Sequence, residues 1–579
     1  MKFSLPVGLI FFLMIAPVFG AWEGEPEQVG LSRVKPVVGT RGMVVSDDLQ
    51  ASEWGAEILR QGGNAIDAAV ATGFMLSVTR PHYASLGGGG FMVFCPAPGT
   101  KGRSPCTVID YRERAPQAAK RDMFLKEGKP DLKMSQDGAT ASGIPGAVAG
   151  LLEAHEKFGK TKRAKLLSKP IAIARSGIRM TGLMESFAYG RWSIMNSAAK
   201  NILGCQGKPC SAGKLLKQDD LAHTLEAISI KGREGFYKGE VAGKLIQGLK
   251  AANGVLTLED LASYQAMIRE PLVGKYKEFE IVSMPPPSAG GTVILQLFGF
   301  AERADEAGAF SKGLGSVSMV HAIAHGMMLG FADRAKYFGD PSFVDVPVKK
   351  LLDSKYLDQR WKTFKSGDAN TEIEPGLGGD AGKEGDHTTH FSVIDSAGNA
   401  VAVTTTINSD FGSGFVPHGT GVFMNNEMDD FALAPGVPNQ FGLVGDEANS
   451  IIPGKTPLSS MSPTIVRDAG GNARIVIGAS GGPRITTAVF LTLLNRLRFD
   501  LSLPEAVAAP RFHDQWKPFE LKYEANGIAS EVLAKLKDLG YPLKEARSLA
   551  QVHALERFKN GRVWGAPDPR GEGGQAAAE

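Results

Sequence analysis

The sequence predicts an α+β fold in which helices cover two packed, mainly antiparallel sheets. Alternating apolar segments around polar, glycine-containing turns indicate hairpins at 391–406 and 465–478. Amphipathic segments at 292–303 and 319–331 predict long helices. Hairpins bracketed by such helices favour a layered arrangement of helix, sheet, sheet and helix, the αββα sandwich.

The N-terminal region predicts a strand followed by a helix. The apolar segment 43–46 is typical of a strand, and Ser46 or Asp47 then caps a helix that runs to about Arg60. Gly62-Gly63-Asn64 ends this helix, because glycine and asparagine favour the backbone conformation that follows a helix.

A third hairpin is predicted just after a buried helix. Residues 65–76 are dense in alanine and large apolar side chains, and the small residues allow close packing on a sheet. The four glycines 87–90 lead into a strand at 91–94, and 106–111 predicts the next strand.

The rest of the chain alternates between helical stretches and proline- or glycine-rich breaks. Residues 120–270 are typical of helices with polar connections, and the proline- and glycine-rich segment 285–291 breaks that pattern. No internal repeat is evident, and the composition of the tail 571–579 predicts disorder.

The first residues predict an export signal. Lys2 precedes an apolar run at 5–18, and 18–20 carry the small residues that a signal peptidase requires. The run is short for a bilayer span and is followed by the acidic segment 22–25, so a retained membrane anchor is the weaker alternative. We therefore assign 1–20 to a signal peptide and expect a periplasmic or secreted protein of about 560 residues.

Charge and cysteine content restrict the function further. The chain has 64 basic and 61 acidic residues, a net charge of +3, which lacks the concentrated basic excess of a nucleic-acid-binding protein. The four cysteines form two local pairs, Cys95 with Cys106 and Cys205 with Cys210. Export favours two disulfides over free buried thiols, and no Cys-x-x-Cys or histidine spacing supports a metal site.

Thr388 is the first candidate for catalysis. The polar segment 385–387 runs directly into a strand whose first residue is Thr388. If the bond between His387 and Thr388 were cut, the new α-amine could act as the general base for the threonine hydroxyl. The alternative is an ordinary strand opening with two β-branched threonines, Thr388 and Thr389.

Hairpin register gives Thr388 a partner. With the turn centred near residue 397, Thr388 lies opposite Thr406, give or take one position, and the two hydroxyls are neighbours. Thr406 could then orient Thr388, although threonine pairs are also common across antiparallel strands.

Further polar groups follow the ends of predicted strands. Asn408, Glu427 and Asp430 could bind a cationic group such as an α-ammonium, the alternative being a solvated acidic turn. Arg112 could bind a carboxylate with two hydrogen bonds, the alternative being a surface arginine paired with Glu113.

Two more segments offer hydrogen-bond donors. Ser459 and Ser460 supply hydroxyls, and the N–H groups of Gly481 and Gly482 could form an oxyanion hole. Each of these features alone is more often structural, so their combination carries the interpretation.

These motifs resemble the γ-glutamyltranspeptidases, also called glutathione hydrolases. The similarity is nearly full length and rests on long, ordered motifs. They are Gly62–Ala69, Leu86–Phe91, the arginine motif around Arg112, Phe331–Arg334, Thr388–His390, Asn425–Phe431, Pro457–Thr464, Gly478–Gly482 and Asp568–Arg570.

The resemblance implies an N-terminal nucleophile hydrolase fold made as a proenzyme without a cofactor. The precursor would cut itself between His387 and Thr388 into a large subunit, 21–387, and a small subunit, 388–579, which remain associated in one fold. The choice of Thr388 over Thr389 as the new N-terminus comes from the resemblance.

The resemblance also assigns roles to the candidate residues. Thr388 would be the nucleophile, supported by Thr406, while the N–H groups of Gly481 and Gly482 stabilise the oxyanion. The residues that would bind the α-amino acid head of the γ-glutamyl group are Asn408, Glu427 and Asp430 for the ammonium, and Arg112, Ser459 and Ser460 for the carboxylate.

The implied reaction transfers the γ-glutamyl group. Thr388 would attack the amide of glutathione or another γ-glutamyl compound, and water or an acceptor amino acid or peptide would resolve the ester. Glu427 stands where some relatives have glutamine. The loop 435–442 resembles a lid, with Phe441 where relatives with this lid usually have tyrosine, so the phenolic hydroxyl is absent.

Two alternatives remain from the sequence. A related acylase acting on glutaryl amides would leave Glu427 and Asp430 facing a position without an ammonium. An exported binding protein of the same fold without catalysis would have no need of Thr388, Thr406 and the glycine pair.

Overall fold

The structure is a computed structural model that describes residues 35–99, 105–369, 372–377, 387–433 and 446–579, with His387 described by its backbone alone. The predicted signal peptide, the loop 435–442 and Phe441 lie outside the described residues. Among the described residues, no helix has the length and apolar character needed to cross a membrane.

The helices of the described residues are numbered α1 to α18 in chain order. Their bounds are Leu49–Arg60, Ala65–Thr79, Leu132–Gln136, Ala147–Phe158, Arg163–Ser176, Gly182–Arg191, Ser197–Leu203, Asp219–Lys231, Glu234–Tyr237, Gly239–Ala251, Leu258–Ser263, Gly290–Glu306, Val317–Tyr337, Val348–Leu351, Ser354–Trp361, Arg484–Leu497, Leu503–Ala508 and Ser530–Asp538.

The strands are numbered β1 to β23 in the same way. Their bounds are Val37–Gly39, Met43–Ser46, Gly89–Cys95, Thr107–Asp110, Leu125–Lys126, Lys129–Pro130, Ile178–Arg179, Gly204–Cys205, Lys208–Pro209, Leu215–Leu216, Met267–Arg269, Leu272–Tyr276, Phe279–Ser283, His387–Ile394, Ala400–Asn408, Thr464–Arg467, Ala473–Ser480, Phe512–His513, Leu521–Glu524, Leu543–Ala546, Gln551–Arg557, Val563–Ala566 and Gln575–Ala578.

Two seven-stranded sheets form the centre of the molecule. Sheet I has the order β11-β4-β3-β15-β14-β2-β23, and sheet II has the order β1-β22-β21-β17-β16-β13-β12. Every neighbouring pair in both sheets is antiparallel. The prediction of two mainly antiparallel sheets is confirmed.

The side-chain period of two on β3 shows how the layers pack. Phe91 and Val93 belong to the core shared with sheet II, whereas Met92 and Phe94 belong to the core beneath α1, α2, α4 and α5. The outer face of sheet II packs against α12 and α16, through residues such as Ile294, and α13 packs against α12. The four layers are therefore helix, sheet, sheet and helix, as predicted.

The start of α1 corrects the predicted cap. Strand β2 extends through Ser46, so the helix begins later, and Asp48 is the cap, accepting a hydrogen bond of 2.9 Å from the N–H of Ala51. The helix ends at Arg60, and Asn64 with Asp67 forms a capping box at the start of α2.

The C-terminal tail is ordered, contrary to the prediction. Residues 575–578 form β23, which pairs with β2 and becomes the edge strand of sheet I, and the N–H of Glu579 donates to the carbonyl of Gly42 at 2.9 Å. An unpaired edge of β2 would offer free backbone donors and acceptors, and composition alone does not reveal that this tail satisfies them.

Both cysteine pairs are local in the structure, as predicted. The sulfur atoms of Cys95 and Cys106 lie at bonding distance across the β3–β4 hairpin, and those of Cys205 and Cys210 across the shorter β8–β9 hairpin.

Candidate active site

Thr388 lies at the head of β14, a central strand of sheet I. Strand alternation directs its side chain to the face that meets sheet II, while the buried hydroxyl of Thr389 lies on the opposite face without a hydrogen-bond partner among the described residues. The β14–β15 register shifts between His387 and Thr388, an irregularity that is frequent beside active sites. Strand alternation therefore distinguishes Thr388, which faces sheet II, from Thr389, which faces the other way. Their spacing in the sequence does not make this distinction.

Thr406 is the cross-strand neighbour of Thr388, as the hairpin arithmetic predicted. Both residues are buried. The hydroxyl of Thr406 accepts a hydrogen bond of 2.8 Å from the N–H of Asn408, which fixes its orientation beside Thr388.

Gly481 and Gly482 come from sheet II and lie between β17 and α16. Their φ angles are +124° and +59°, a region that side chains other than glycine rarely adopt. Neither N–H donates a backbone hydrogen bond within the described part of the chain. The turn therefore presents two donors at the positive end of a helix, where an oxyanion is stabilised.

The acidic turn that follows β15 is buried, not solvated. Glu427 and Asp430 lie in a 3₁₀ helix and are 1% and 5% exposed. Asn425 anchors this helix, because its side-chain carbonyl accepts from the N–H groups of Gly143 at 2.8 Å and of Glu427 at 3.0 Å. The alternative of a solvated acidic turn is wrong.

Arg112 follows β4 and joins this turn, so the alternative of a surface arginine is also wrong. Its guanidinium donates to Glu427 and, at 2.6 Å, to Asp430. A third contact reaches the backbone carbonyl of Leu458 at 3.3 Å. The arginine and the two carboxylates, predicted to bind opposite ends of one substrate head, are thus in direct contact with each other.

Ser459 and Ser460 line the same site from the segment before β16. The hydroxyl of Ser459 accepts from the N–H of Met461 at 3.1 Å. The proline-rich break predicted at 285–291 supports this segment, since the hydroxyl of Ser288 donates to the carbonyls of Ser459 and Met461.

Asn408 connects the nucleophile strand to the acidic turn. Its φ of +72° is unusual for a residue other than glycine, although asparagine tolerates it best. Its side-chain amide donates to the carbonyl of Asn426 at 2.9 Å.

The candidate residues enclose a small cavity of about 20 Å³, room for about one water molecule. Its lining consists of Arg112, Thr388, Thr406, Asn408, Glu427, Asp430, Ser459, Ser460, Met461, Gly482 and Ile485. Gly481 lies next to this lining in the chain. The structure therefore brings together the residues that the sequence singled out from five separate segments.

Sequence reasoning missed several contributors. Met461 and Ile485 add apolar surface to the cavity, and Asn449 joins the acidic turn to the serine segment through bonds to Asp430 and Leu458. Glu113, which the sequence suggests only as the partner of a surface arginine, is fully buried. The sequence signal that could have identified Glu113 is its position directly after Arg112.

Burial dominates the electrostatics of the acidic turn. Loss of solvent raises the pKa of Glu427 well above its usual range, and the nearby carboxylate of Glu113 raises it further, against the lowering effect of Arg112. No group of three or more histidine, cysteine, aspartate or glutamate side chains in the described ranges is arranged to hold a metal ion.

The fold and this geometry define the class of protein. The solved structure of a cephalosporin acylase from Bacillus halodurans superposes with a TM-score of 0.80, covering 98% of this chain and 99% of that chain at 24% sequence identity. At this identity the likeness concerns the fold alone. That fold is the N-terminal nucleophile hydrolase fold.

The family follows from closer relatives. The gamma-glutamyltranspeptidase family model matches residues 51–578. The glutathione hydrolase proenzyme of Escherichia coli (strain K12) is 41% identical over 542 residues, covering 92% of this chain and 91% of that protein. A solved gamma-glutamyltranspeptidase chain from Pseudomonas nitroreducens is 38% identical with a TM-score of 0.53, covering 57% of this chain and 97% of that chain. The chain belongs to the gamma-glutamyltranspeptidase family and is an enzyme of that family.

Proposed function

We propose that this chain is an exported glutathione hydrolase and γ-glutamyltransferase that matures by cutting itself between His387 and Thr388. The observation that carries the proposal is the convergence of Thr388, Thr406, a glycine-amide turn and one set of head-group residues on a single buried cavity. The two cysteine pairs at bonding distance support the exported location, either periplasmic or secreted.

Self-cleavage would use the hydroxyl that later acts on substrate. The Thr388 oxygen attacks the carbonyl carbon of His387, and the peptide nitrogen leaves as the α-amine while an ester forms. Water then hydrolyses the ester, which leaves a carboxylate on His387 and a free threonine. The amine and hydroxyl of one residue then serve as base and nucleophile.

The cut chain would stay together because both sheets mix strands from its two parts. In sheet I, β2, β3, β4 and β11 precede the cut, whereas β14, β15 and β23 follow it. Sheet II likewise combines β1, β12 and β13 with β16, β17, β21 and β22. The large subunit 21–387 and the small subunit 388–579 therefore share one core.

Donor binding would exchange ion pairs without leaving a buried charge alone. In the structure Arg112 pairs with Glu427 and Asp430. A zwitterionic α-amino acid head can offer its carboxylate to Arg112 and its ammonium to the two acids that are released. Ser459, Ser460 and Asn408 supply further hydrogen-bonding groups around that head.

The transfer step follows from the position of the bound γ-carbonyl over Thr388. The α-amine takes the hydroxyl proton as the oxygen attacks, and the N–H groups of Gly481 and Gly482 stabilise the oxyanion. The proton passes to the leaving amine of cysteinylglycine, and a γ-glutamyl ester remains. Water or the amine of an acceptor amino acid or peptide then resolves this ester.

The same charges argue against a glutaryl acylase. A glutaryl group has no ammonium, so its carboxylate would draw Arg112 away from Glu427 and Asp430 and leave them without a cation. Breaking a buried ion pair in this way costs about 3–5 kcal/mol. The effect of Phe441 on lid closure and acceptor choice stays a prediction.

Incubation of the purified protein with glutathione tests the proposal. We expect release of glutamate and cysteinylglycine, and two bands on a denaturing gel. Matched γ-glutamyl and glutaryl anilides serve as the control pair, with turnover expected only for the first. A single band with no release of glutamate, or preferential cleavage of the glutaryl anilide, would contradict the proposal.

The variant Gly481→Ala tests the oxyanion role. An added Cβ would lie 2.8 Å from the Cα of Ala550 at a φ of +124°, so the turn must shift. We expect kcat for glutathione hydrolysis to fall about 100-fold, the effect of misplacing one oxyanion donor.

Gly561→Ala is the matched control, because its φ is +84° and an added Cβ meets nothing within 4 Å. It should lose about 1 kcal/mol of stability from backbone strain and keep its kcat. Equal kcat values for the two variants would argue against the role of the glycine turn.

A further inference from the structure

Glu113 is a buried acid at the active site that none of the roles above uses. It follows Arg112 directly and is fully buried. A Cβ added to Gly89 would lie 2.6 Å from its Oε2 atom, so the glycine leaves the space that the carboxyl group occupies. Gly89 is one of the four glycines at 87–90, whose purpose the sequence did not reveal.

The hydrogen bonding of the Glu113 carboxyl group is incomplete among the described residues. Within the described part of the chain, no other residue's N–H or O–H donates to either of its oxygens or to Oε2 of Glu427. The Nη1 atom of Arg112 is 3.8 Å from Glu113, while its short bonds go to Oε1 of Glu427 and to Asp430.

The two glutamate side chains are neighbours, because Nη1 of Arg112 binds Oε1 of Glu427 and lies 3.8 Å from Oε2 of Glu113. Two ionised carboxylates this close repel each other, and burial limits the screening of that repulsion by solvent. One proton between them satisfies an oxygen of each, as in other carboxyl pairs that titrate as a unit.

We propose that Glu113 is a positioning residue of the donor pocket, whose carboxyl group shares one proton with Glu427 and so holds Glu427 where the donor's α-ammonium binds. The ligand in this proposal rests on the proposed function. The shared proton leaves Oε1 of Glu427 directed at Arg112 and ties Oε2 to Glu113.

The presence of glutamate at position 427 fits this arrangement. A protonated Glu427 donates toward Glu113 and accepts from Arg112, which is the hydrogen-bonding pattern of a glutamine side chain. The proton would therefore let a glutamate act as a glutamine toward Arg112.

The surroundings favour a proton on this pair at neutral pH. Burial raises the pKa of Glu113 to about 7 and that of Glu427 well above its usual range. The charged and titratable groups that face Glu113 are Arg112, Glu427, Asp430, Tyr111, Tyr237 and Tyr264.

The charge of the glutamate pair changes near neutrality. Burial raises the pKa of all three tyrosines, so they stay neutral, and the guanidinium stays charged. Asp430 is held by Arg112 at 2.6 Å. Because both glutamate pKa values are raised, the pair keeps its proton at lower pH and releases it as the pH rises above neutrality.

Glu113→Gln tests the proposal, because its amide donates to Glu427 at every pH. Binding of L-glutamate, the hydrolysis product, is measured by calorimetry between about pH 6.5 and 8.5. We expect the wild-type Kd to rise about tenfold over this range and the Kd of Glu113→Gln to change by less than about twofold. At each pH, the ratio of the wild-type Kd to the Glu113→Gln Kd removes the contribution of the ligand's own titration.

Kinetics separate positioning from catalysis. For glutathione, Glu113→Ala should raise KM by about 10- to 100-fold with a smaller change in kcat, and Glu113→Gln should restore KM. The exposed Glu240→Gln is the control for a glutamate-to-glutamine change and should follow the wild-type pH profile. If Glu113→Ala fails to fold, the pH profile of Glu113→Gln still decides whether Glu113 positions Glu427.

Identical pH profiles for wild type and Glu113→Gln, or a cut Glu113→Gln protein that binds no L-glutamate, would overturn the proposal. A wild-type protein that neither cleaves glutathione nor binds L-glutamate would overturn the proposed function instead. The proton itself is then tested by infrared spectroscopy. We expect a protonated-carboxyl band at neutral pH that Glu113→Gln lacks, and its absence in wild type would overturn the shared proton.

Discussion

Replacing Thr388 with valine is expected to give a single uncut chain without γ-glutamyl turnover. Valine keeps the volume of the side chain and removes the hydroxyl that would attack both the His387 carbonyl and the donor. Loss of a nucleophile lowers kcat by at least about 1,000-fold, and the uncut chain also lacks the α-amine that would act as base. A denaturing gel and glutathione hydrolysis measure the two effects.

Thr389→Val provides the matched control one residue away. The hydroxyl of Thr389 is buried on the opposite face of β14 and has no hydrogen-bond partner among the described residues. Its removal should leave both processing and turnover close to wild type. Normal processing in Thr388→Val, or its loss in Thr389→Val alone, would contradict the assignment of the nucleophile.

Asp430→Asn is expected to process normally and to turn over γ-glutamyl anilides poorly. Asparagine has nearly the shape of aspartate but cannot neutralise the ammonium of the donor. Removing one partner of a buried charge pair costs about 3–5 kcal/mol, a loss in kcat/KM of about 100- to 5,000-fold. Self-cleavage uses no amino acid head, so two bands should still appear.

An exposed aspartate gives the control for this charge change. Asp500 pairs with Arg496 at 2.9 Å, and its side chain is 95% exposed. Asp500→Asn should leave kcat/KM unchanged, because exposed ion pairs contribute little. Wild-type turnover in Asp430→Asn would remove the ammonium role from this residue.

The sequence predicted the fold and the pairing of Thr388 with Thr406 because both depend on local periodicity. A hairpin turn fixes the register of its own two strands, so Thr406 could be placed by counting residues. The pairing of β23 with β2 could not be predicted by counting. It joins residues about 530 positions apart and depends on which edge of sheet I is left open.

The candidate site also divides into features that the sequence predicts and features that only packing determines. Candidate residues were found because their side-chain chemistry suits an amino acid head, but counting cannot bring Arg112 against the turn 427–430. The direct contact between Arg112 and the acids, and the burial of Glu113 behind them, are consequences of packing between sheets. Whether a charge is buried with or without a donor is therefore visible only in the fold.

The identity of the nucleophile is the central claim, and intact-mass spectrometry of the denatured protein tests it most directly. After acid quenching of a reaction with glutathione, we expect two chains. The smaller chain begins at Thr388 and carries the added mass of one glutamyl residue, which digestion places on its first peptide. A single chain of full length, or a glutamyl adduct on any other residue, would contradict the account.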